Sequence, residues 1–254
     1  MDFINSIILK QIEQDTYKAA YNMSGTIGQI LFWLVVVWYV CRMRMNPLKT
    51  ILVAYMGFWF TTNWNGLLLF ILSGFTVGDR VNLAVAFVYL FPVAWLLAKL
   101  FRLSWRAVSE LYAFGILAFH IPGRSGCIFT GCCYGYPCEW GIYSLLAEEY
   151  VFPVVLLESL MTLAIWVFLF IRTGKNDYAP DGKTMPWMLL LYGIGRFCTE
   201  FLRDNEKIWL GCSDISFHAL FMAVIGLILL ICVSHKQSRQ KTEKISCSVA
   251  QSFL

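Results

Sequence analysis

Apolar residues run through this chain in long blocks separated by short polar punctuation, and the blocks carry no period-2 alternation that would mark half-buried strands. Seven windows read as membrane-crossing helices: 24–41, 50–73, 81–98, 107–121, 152–171, 185–202 and 214–233. Several hold about 18 or more nearly uncharged residues, the length an α-helix needs to cross roughly 30 Å of hydrocarbon. The 107–121 window is the shortest and contains Glu110; without it every later segment would change sides. Because unpaired backbone cannot face lipid, the pattern predicts an all-α, polytopic helical bundle. One transmembrane domain is expected over residues 1–234, followed by a disordered polar cytoplasmic tail over 235–254. Residues 1–22 mix acids and bases without an apolar core, so no cleavable signal is expected there and the first span serves for targeting.

Composition sharpens the class. Of 254 residues, 59% are hydrophobic and only 14% charged, well under the quarter or so of a soluble domain, and mean hydropathy is +0.64. The net charge of +4 does not point to nucleic acid, since the basic residues flank apolar runs instead of forming a soluble patch. Their placement has another meaning. Arg42, Arg44 and Lys49 follow the first span, Lys99, Arg102 and Arg106 the third, Arg172, Lys175 and Lys183 the fifth, and Lys236, Arg239, Lys241 and Lys244 the last. The positive-inside rule assigns that side to the cytoplasm, which puts the N-terminus outside and the C-terminus inside.

Polar chemistry is concentrated in two stretches, both near the outer face in this topology. In "LLLYGIGRFCTEFLRDNEK" (189–207), Tyr192, Arg196, Glu200 and Arg203 recur at helical spacing on one face. Ionisable groups within a span turn inward, pair, or line a wet cavity. Two readings stand: a buried structural ion pair, or a cavity with one guanidinium left for an anion such as a phosphate, whose oxygens match its planar fork. In "HIPGRSGCIFTGCCYGYPCEWG" (120–141), Gly123, Gly126, Gly131 and Gly135 permit tight turns with amides aimed at a ligand, and Arg124 is a second anion contact or a snorkelling interfacial side chain. Cys127, Cys132, Cys133 and Cys138 lack the paired spacing of a structural zinc site, so no metal is expected; disulfides at an oxidising face, with Cys212 on the same side, are open. His120 is the histidine nearest this cluster and a candidate proton acceptor near neutral pH, with Asp79 as its rival.

Together, "GRSGCIFTGCCYG" (123–135) and "LYGIGRFCTEFLRD" (191–204) resemble the two signature elements of prolipoprotein diacylglyceryl transferases, G-R-x-G-N-F-x-N-G-E-x-x-G and Y-G-x-x-R-F-x-x-E-x-x-R. Where the first element carries asparagine, asparagine and glutamate, this chain has Cys127, Thr130 and Cys132, as in a divergent branch of the family with a preceding histidine. The resemblance implies a multi-pass enzyme of a bacterial-type plasma membrane. It would move the diacylglyceryl group of phosphatidylglycerol onto the lipobox cysteine thiol of a preprolipoprotein, releasing glycerol phosphate, without cofactor or metal. By position, Arg124 and Arg196 would hold the phosphate and Tyr192 would bond the headgroup, while Glu200 and Arg203 order the helix and the exit side; the loop where the family carries a His or Tyr has neither in "SGFTVGDRVNLAVAF", so His120 or Asp79 would replace the usual base. Other readings are a relative acting on another acceptor or binding anionic lipid without catalysis, and an anion or lipid transporter.

Overall fold

A computed structural model of the chain describes residues 2–60, 83–131, 133–144, 147–204 and 211–251. Its helices are α1 (Asp2–Met43), α2 (Pro47–Trp59), α3 (Leu83–Leu100), α4 (Trp105–Ser125), the single turn α5 (Cys127–Thr130), α6 (Val154–Gly174), α7 (Thr184–Glu200) and α8 (Asp214–Gln251). Residues 61–73 of the second expected span, together with Asp79, Arg80 and Cys132, lie outside the described residues.

Three of the described helices are long and apolar enough to cross a membrane: Asp15–Met43, Val154–Gly174 and Asp214–Arg239. They turn leucines, isoleucines and phenylalanines outward, as with Leu156, Leu160 and Ile171 on α6 and Leu220, Phe221 and Ile228 on α8. A helix whose outer face is this apolar is stable against lipid, not water.

The insecure 107–121 window proves to be the centre of the bundle. Residues 107–118 of α4 are all buried, and α4 packs against α1, α3, α6 and α7. A helix with no face toward lipid can carry polar groups that its neighbours satisfy. Glu110 accepts a hydrogen bond from Thr184 Oγ1 on α7 at 3.0 Å, and the Trp166 indole of α6 donates to the Phe114 carbonyl at 3.2 Å. Pro122 and Gly123 do not end α4, which continues to Ser125. Residues 120 and 124 therefore stay one helical turn apart.

Helices α7 and α8 meet at backbone distance. A Cβ on Gly193 would sit 2.6 Å from the Ala223 nitrogen, and one on Gly226 would sit 2.5 Å from the Leu190 nitrogen. Small residues of this kind let helices approach closely where no hydrophobic driving force exists between them.

Two expectations are corrected. The chain is not all-α: β1 (Pro137–Ser144) pairs antiparallel with β2 (Glu149–Val151), with Tyr143 opposite Tyr150 and an irregularity between Pro137 and Ile142. This hairpin begins in the polar segment "YPCEWG" (136–141) and runs to Val151, and the turn residues and mixed polarity of that segment gave no strand signal. The tail beginning at residue 235 is not a disordered end, for α8 runs without interruption from Asp214 through Gln251. Its polar composition removes the reason to be buried, not the capacity to be helical.

Candidate functional site

The site is organised by a residue the sequence pattern did not single out. Glu158 stands on the second turn of α6, 1% exposed, in a run of otherwise apolar neighbours. Three arginines from two distant parts of the chain converge on it. Arg124, at the end of α4, donates through Nε to Oε2 at 2.6 Å. Arg196, on α7, donates through Nη1 to Oε1. Arg203 places Nη2 2.9 Å from each carboxylate oxygen and Nε 3.2 Å from Oε1. Thr199 Oγ1 adds a fourth donor at 3.1 Å. A buried carboxylate needs such pairing, because an ion without partners costs several kcal/mol to bring into low dielectric.

Glu200 forms a second anionic pole. Its Oε2 lies 3.0 Å from Arg196 Nη2 and 3.6 Å from Arg203 Nε, while Oε1 accepts from the Ser213 hydroxyl at 2.8 Å. Arg196 thus bridges Glu158 and Glu200 with its two terminal nitrogens, a geometry only a planar fork supplies. The expected cavity with one unpaired guanidinium is corrected in kind. Every one of the three guanidiniums touches a carboxylate, yet among the described residues of this cluster three cations face two anions. Of the three, Arg124 has the most accessible side chain, 15% against 9% for Arg196 and 2% for Arg203.

Tyr192, Arg196 and Glu200 share a face of α7 as their spacing predicts, but the helix ends at Glu200 and Arg203 lies beyond it. Arg203 is fixed by another route. It forms an isolated antiparallel bridge with Gly135, and next to it the Tyr136 amide donates to the Leu202 carbonyl at 3.1 Å. The two polar stretches are therefore joined by backbone contacts as well as through Glu158. Gly135 is required at this seam, since a Cβ there would stand 2.6 Å from the Phe152 carbonyl oxygen and 2.8 Å from that of Leu202.

The glycines do not present amides to a ligand. Gly126 N–H donates to Pro122 O at 3.1 Å, Gly131 N–H to Ile128 O at 3.3 Å, and Gly135 N–H to Phe152 O at 3.2 Å. Gly123 lies within α4 and is not part of a turn. Their contribution is shape. Gly131 closes α5 in the left-handed region at φ +65°, and Gly126 admits Ser24 of α1, whose Cβ a side chain would meet at 2.9 Å.

His120 and Tyr192 form a buried pair, Nε2 to hydroxyl 2.8 Å, with Phe87 packed edge-on to both rings. The expected proton acceptor thus has its Nε2 committed to Tyr192. Four residues on, Arg124 Nη1 reaches two sulfurs, Cys127 Sγ at 3.7 Å and Cys133 Sγ at 3.5 Å. Among the described residues, neither Cys138 nor Cys212 is joined in a disulfide.

A helical domain with outward apolar faces and a buried cluster of three arginines and two glutamates, built from one central helix and the helices beside it, defines a class of multi-pass membrane protein with a charged interior site. The family profile of prolipoprotein diacylglyceryl transferases matches residues 83–232, which takes in α3 to α7, the hairpin and the first half of α8, and the chain belongs to that family. Among its relatives, a phosphatidylglycerol–prolipoprotein diacylglyceryl transferase 2 of Clostridium perfringens is 31% identical over 142 residues, covering 53% of this chain and 55% of that protein. A phosphatidylglycerol–prolipoprotein diacylglyceryl transferase of Clostridium tetani is 24% identical over 168 residues, covering 63% and 62%. One of Dehalococcoides mccartyi is 26% identical over 145 residues, covering 52% of each. The chain spans about half the length of the curated relatives it matches.

Proposed function

We propose that this protein transfers the diacylglyceryl group of phosphatidylglycerol to the lipobox cysteine thiol of a preprolipoprotein, at the outer leaflet of a bacterial-type plasma membrane. The observation that carries this reading is the convergence of Arg124, Arg196 and Arg203 on Glu158 with one positive charge in excess. A phosphodiester monoanion is the ligand that would balance it. Arg124 and Arg196 hold the phosphate, the more accessible Arg124 meeting it first, and their charge stabilises the glycerol phosphate as its bond to the glyceryl carbon breaks. Arg203 and Glu200 keep those two guanidiniums aimed. Tyr192, oriented by His120, bonds the headgroup.

The names of the relatives support the donor and the acceptor, and the outward apolar faces of α1, α6 and α8 support a multi-pass membrane protein. The basic residues after alternate spans support seven spans with the N-terminus outside and the C-terminus in the cytoplasm. Membranes containing the protein, supplied with phosphatidylglycerol labelled in its diacylglyceryl moiety and a lipobox peptide, should yield labelled peptide, and the peptide with serine for cysteine should not. Phosphatidylglycerol binding without transfer would make the protein a lipid-binding relative, and passage of labelled lipid between leaflets would make it a transporter.

A further inference from the structure

Arg124 divides its guanidinium between two kinds of partner. Nε holds the Glu158 carboxylate, and Nη1 is turned to the sulfurs of Cys127 and Cys133. The chain reaches this arrangement by curling back on itself. Gly131 at φ +65° and Cys133 at φ +61° are both left-handed, and the turn they form returns Cys133 to the end of α4. A non-glycine residue in that region is uncommon and is a reason to ask what its side chain gains. Here it gains a guanidinium.

Arginine is a permanent donor and never an acceptor, so a sulfur placed against it is stabilised as the anion. Of the two sulfurs, Cys127 is buried at 8% exposure while Cys133 is partly exposed, so Cys133 is the one an incoming group can reach.

We propose that Cys133 stands as a thiolate held by Arg124 and accepts the proton of the incoming acceptor thiol, a role that rests on the transferase reading above. The acceptor S–H proton passes to Cys133 Sγ, and the freed sulfur pair forms the bond to the glyceryl carbon that carries the phosphate. The carbon–oxygen bond breaks, and its electron pair leaves on the glycerol phosphate oxygen. The proton on Cys133 then passes to that phosphate, restoring the thiolate. Atoms and charge balance without a co-reactant. A general base is most effective when its pKa lies near the operating pH, and a guanidinium beside a thiol lowers the thiol's pKa from the ordinary range toward that value. Such a base also accounts for a site whose nearest imidazole nitrogen is already committed to Tyr192.

The full-length protein in detergent, pulsed with iodoacetamide at pH 6.5 and digested for mass spectrometry, should be alkylated at Cys133 roughly ten times faster than at Cys138, with little further rise to pH 8.5 at Cys133 and a steep rise at Cys138. Equal rates at the two positions overturn the thiolate. In vesicles of phosphatidylglycerol with a lipobox peptide, Cys133→Ser should lower kcat by about 100-fold and remove the acid limb of the pH profile, with KM for lipid nearly unchanged, while Cys138→Ser behaves as wild type. Cys133→Ser with wild-type rate and pH profile overturns the proton-acceptor role and leaves the transferase reading standing. Wild-type protein that shows fast Cys133 alkylation but no transfer overturns both together.

Discussion

Arg203 lies three residues past the end of α7, yet its Nη2 is equidistant, at 2.9 Å, from both oxygens of Glu158 on the neighbouring helix. That contact ties a loop residue into the core of the site, and it makes Glu158 the common anchor of three guanidiniums. Glu158→Gln keeps the shape and removes the charge, leaving Arg124, Arg196 and Arg203 with Glu200 alone. Breaking a buried pair in this way costs about 3–5 kcal/mol. Thermal unfolding in detergent should show a Tm several degrees lower, and transfer should fall with it. An unchanged Tm would mean that Glu158 does not anchor the cluster.

Arg196→Lys retains one positive charge but cannot reach Glu158 and Glu200 together. The variant should remain folded and lose at least about tenfold in rate, since a point charge does not replace a fork at a bidentate site. Turnover close to wild type would assign Arg196 to charge balance only.

His120 and Tyr192 should act as a unit. Each of His120→Ala and Tyr192→Phe removes the same 2.8 Å contact, so the double variant should be little worse than the more damaging single one, with a coupling of about 0.5–3 kcal/mol in kcat/KM. Additive losses would separate the two residues, giving His120 a role not exerted through Tyr192.

Two glycines of one motif should respond differently. Gly135→Ala drives a methyl group into the Phe152 and Leu202 carbonyl oxygens, while Gly123→Ala meets only the rim of the Phe119 ring at 4.0 Å. The first should destabilise by about 1–3 kcal/mol, as overpacking does, and the second by less than about 0.5 kcal/mol. Chemical or thermal unfolding of both variants in one detergent decides it.

For sidedness, single thiols in a cysteine-free background offer a direct reading. Cys138, partly exposed at the hairpin, should label from outside, and His235→Cys from the cytoplasm. Labelling of both from one side would remove the seven-span topology.

The sequence disclosed the parts of the site that depend on local spacing. Tyr192, Arg196 and Glu200 fall on one helical face because of their intervals alone, and Arg124 stood out as an arginine among glycines. Glu158 did not stand out, because its partners lie 34, 38 and 45 residues away and nothing in its neighbourhood announces them. One signal was available: a lone acid in an apolar window is functional by default, and Glu158 is the single charged residue of the 152–171 block. The docking of Gly135 on Leu202 and Arg203 was hidden for the same reason. Backbone pairing between segments some 65 residues apart leaves no periodicity in either. The glycine amides were misread because a glycine's freedom says that a turn is possible, not which carbonyl its N–H will meet.

The central position of α4 has a consequence for biogenesis. Glu110 sits inside a 21-residue helix whose residues 107–118 keep no face for lipid in the finished bundle, with Arg106 and Arg124 near its two ends. Of these, Glu110 lies deepest, and a charge at the bilayer centre disfavours entry of an isolated helix by about 2.5–3.5 kcal/mol. Left to itself α4 would stay at the surface, so its insertion must be cooperative with α1, which precedes it, or with α6, which follows and brings Glu158 to Arg124. If the Arg124–Glu158 ion pair that shapes the site is also what holds α4 in place during assembly, a chain truncated before α6 should leave α4 accessible to protease from the cytoplasmic side.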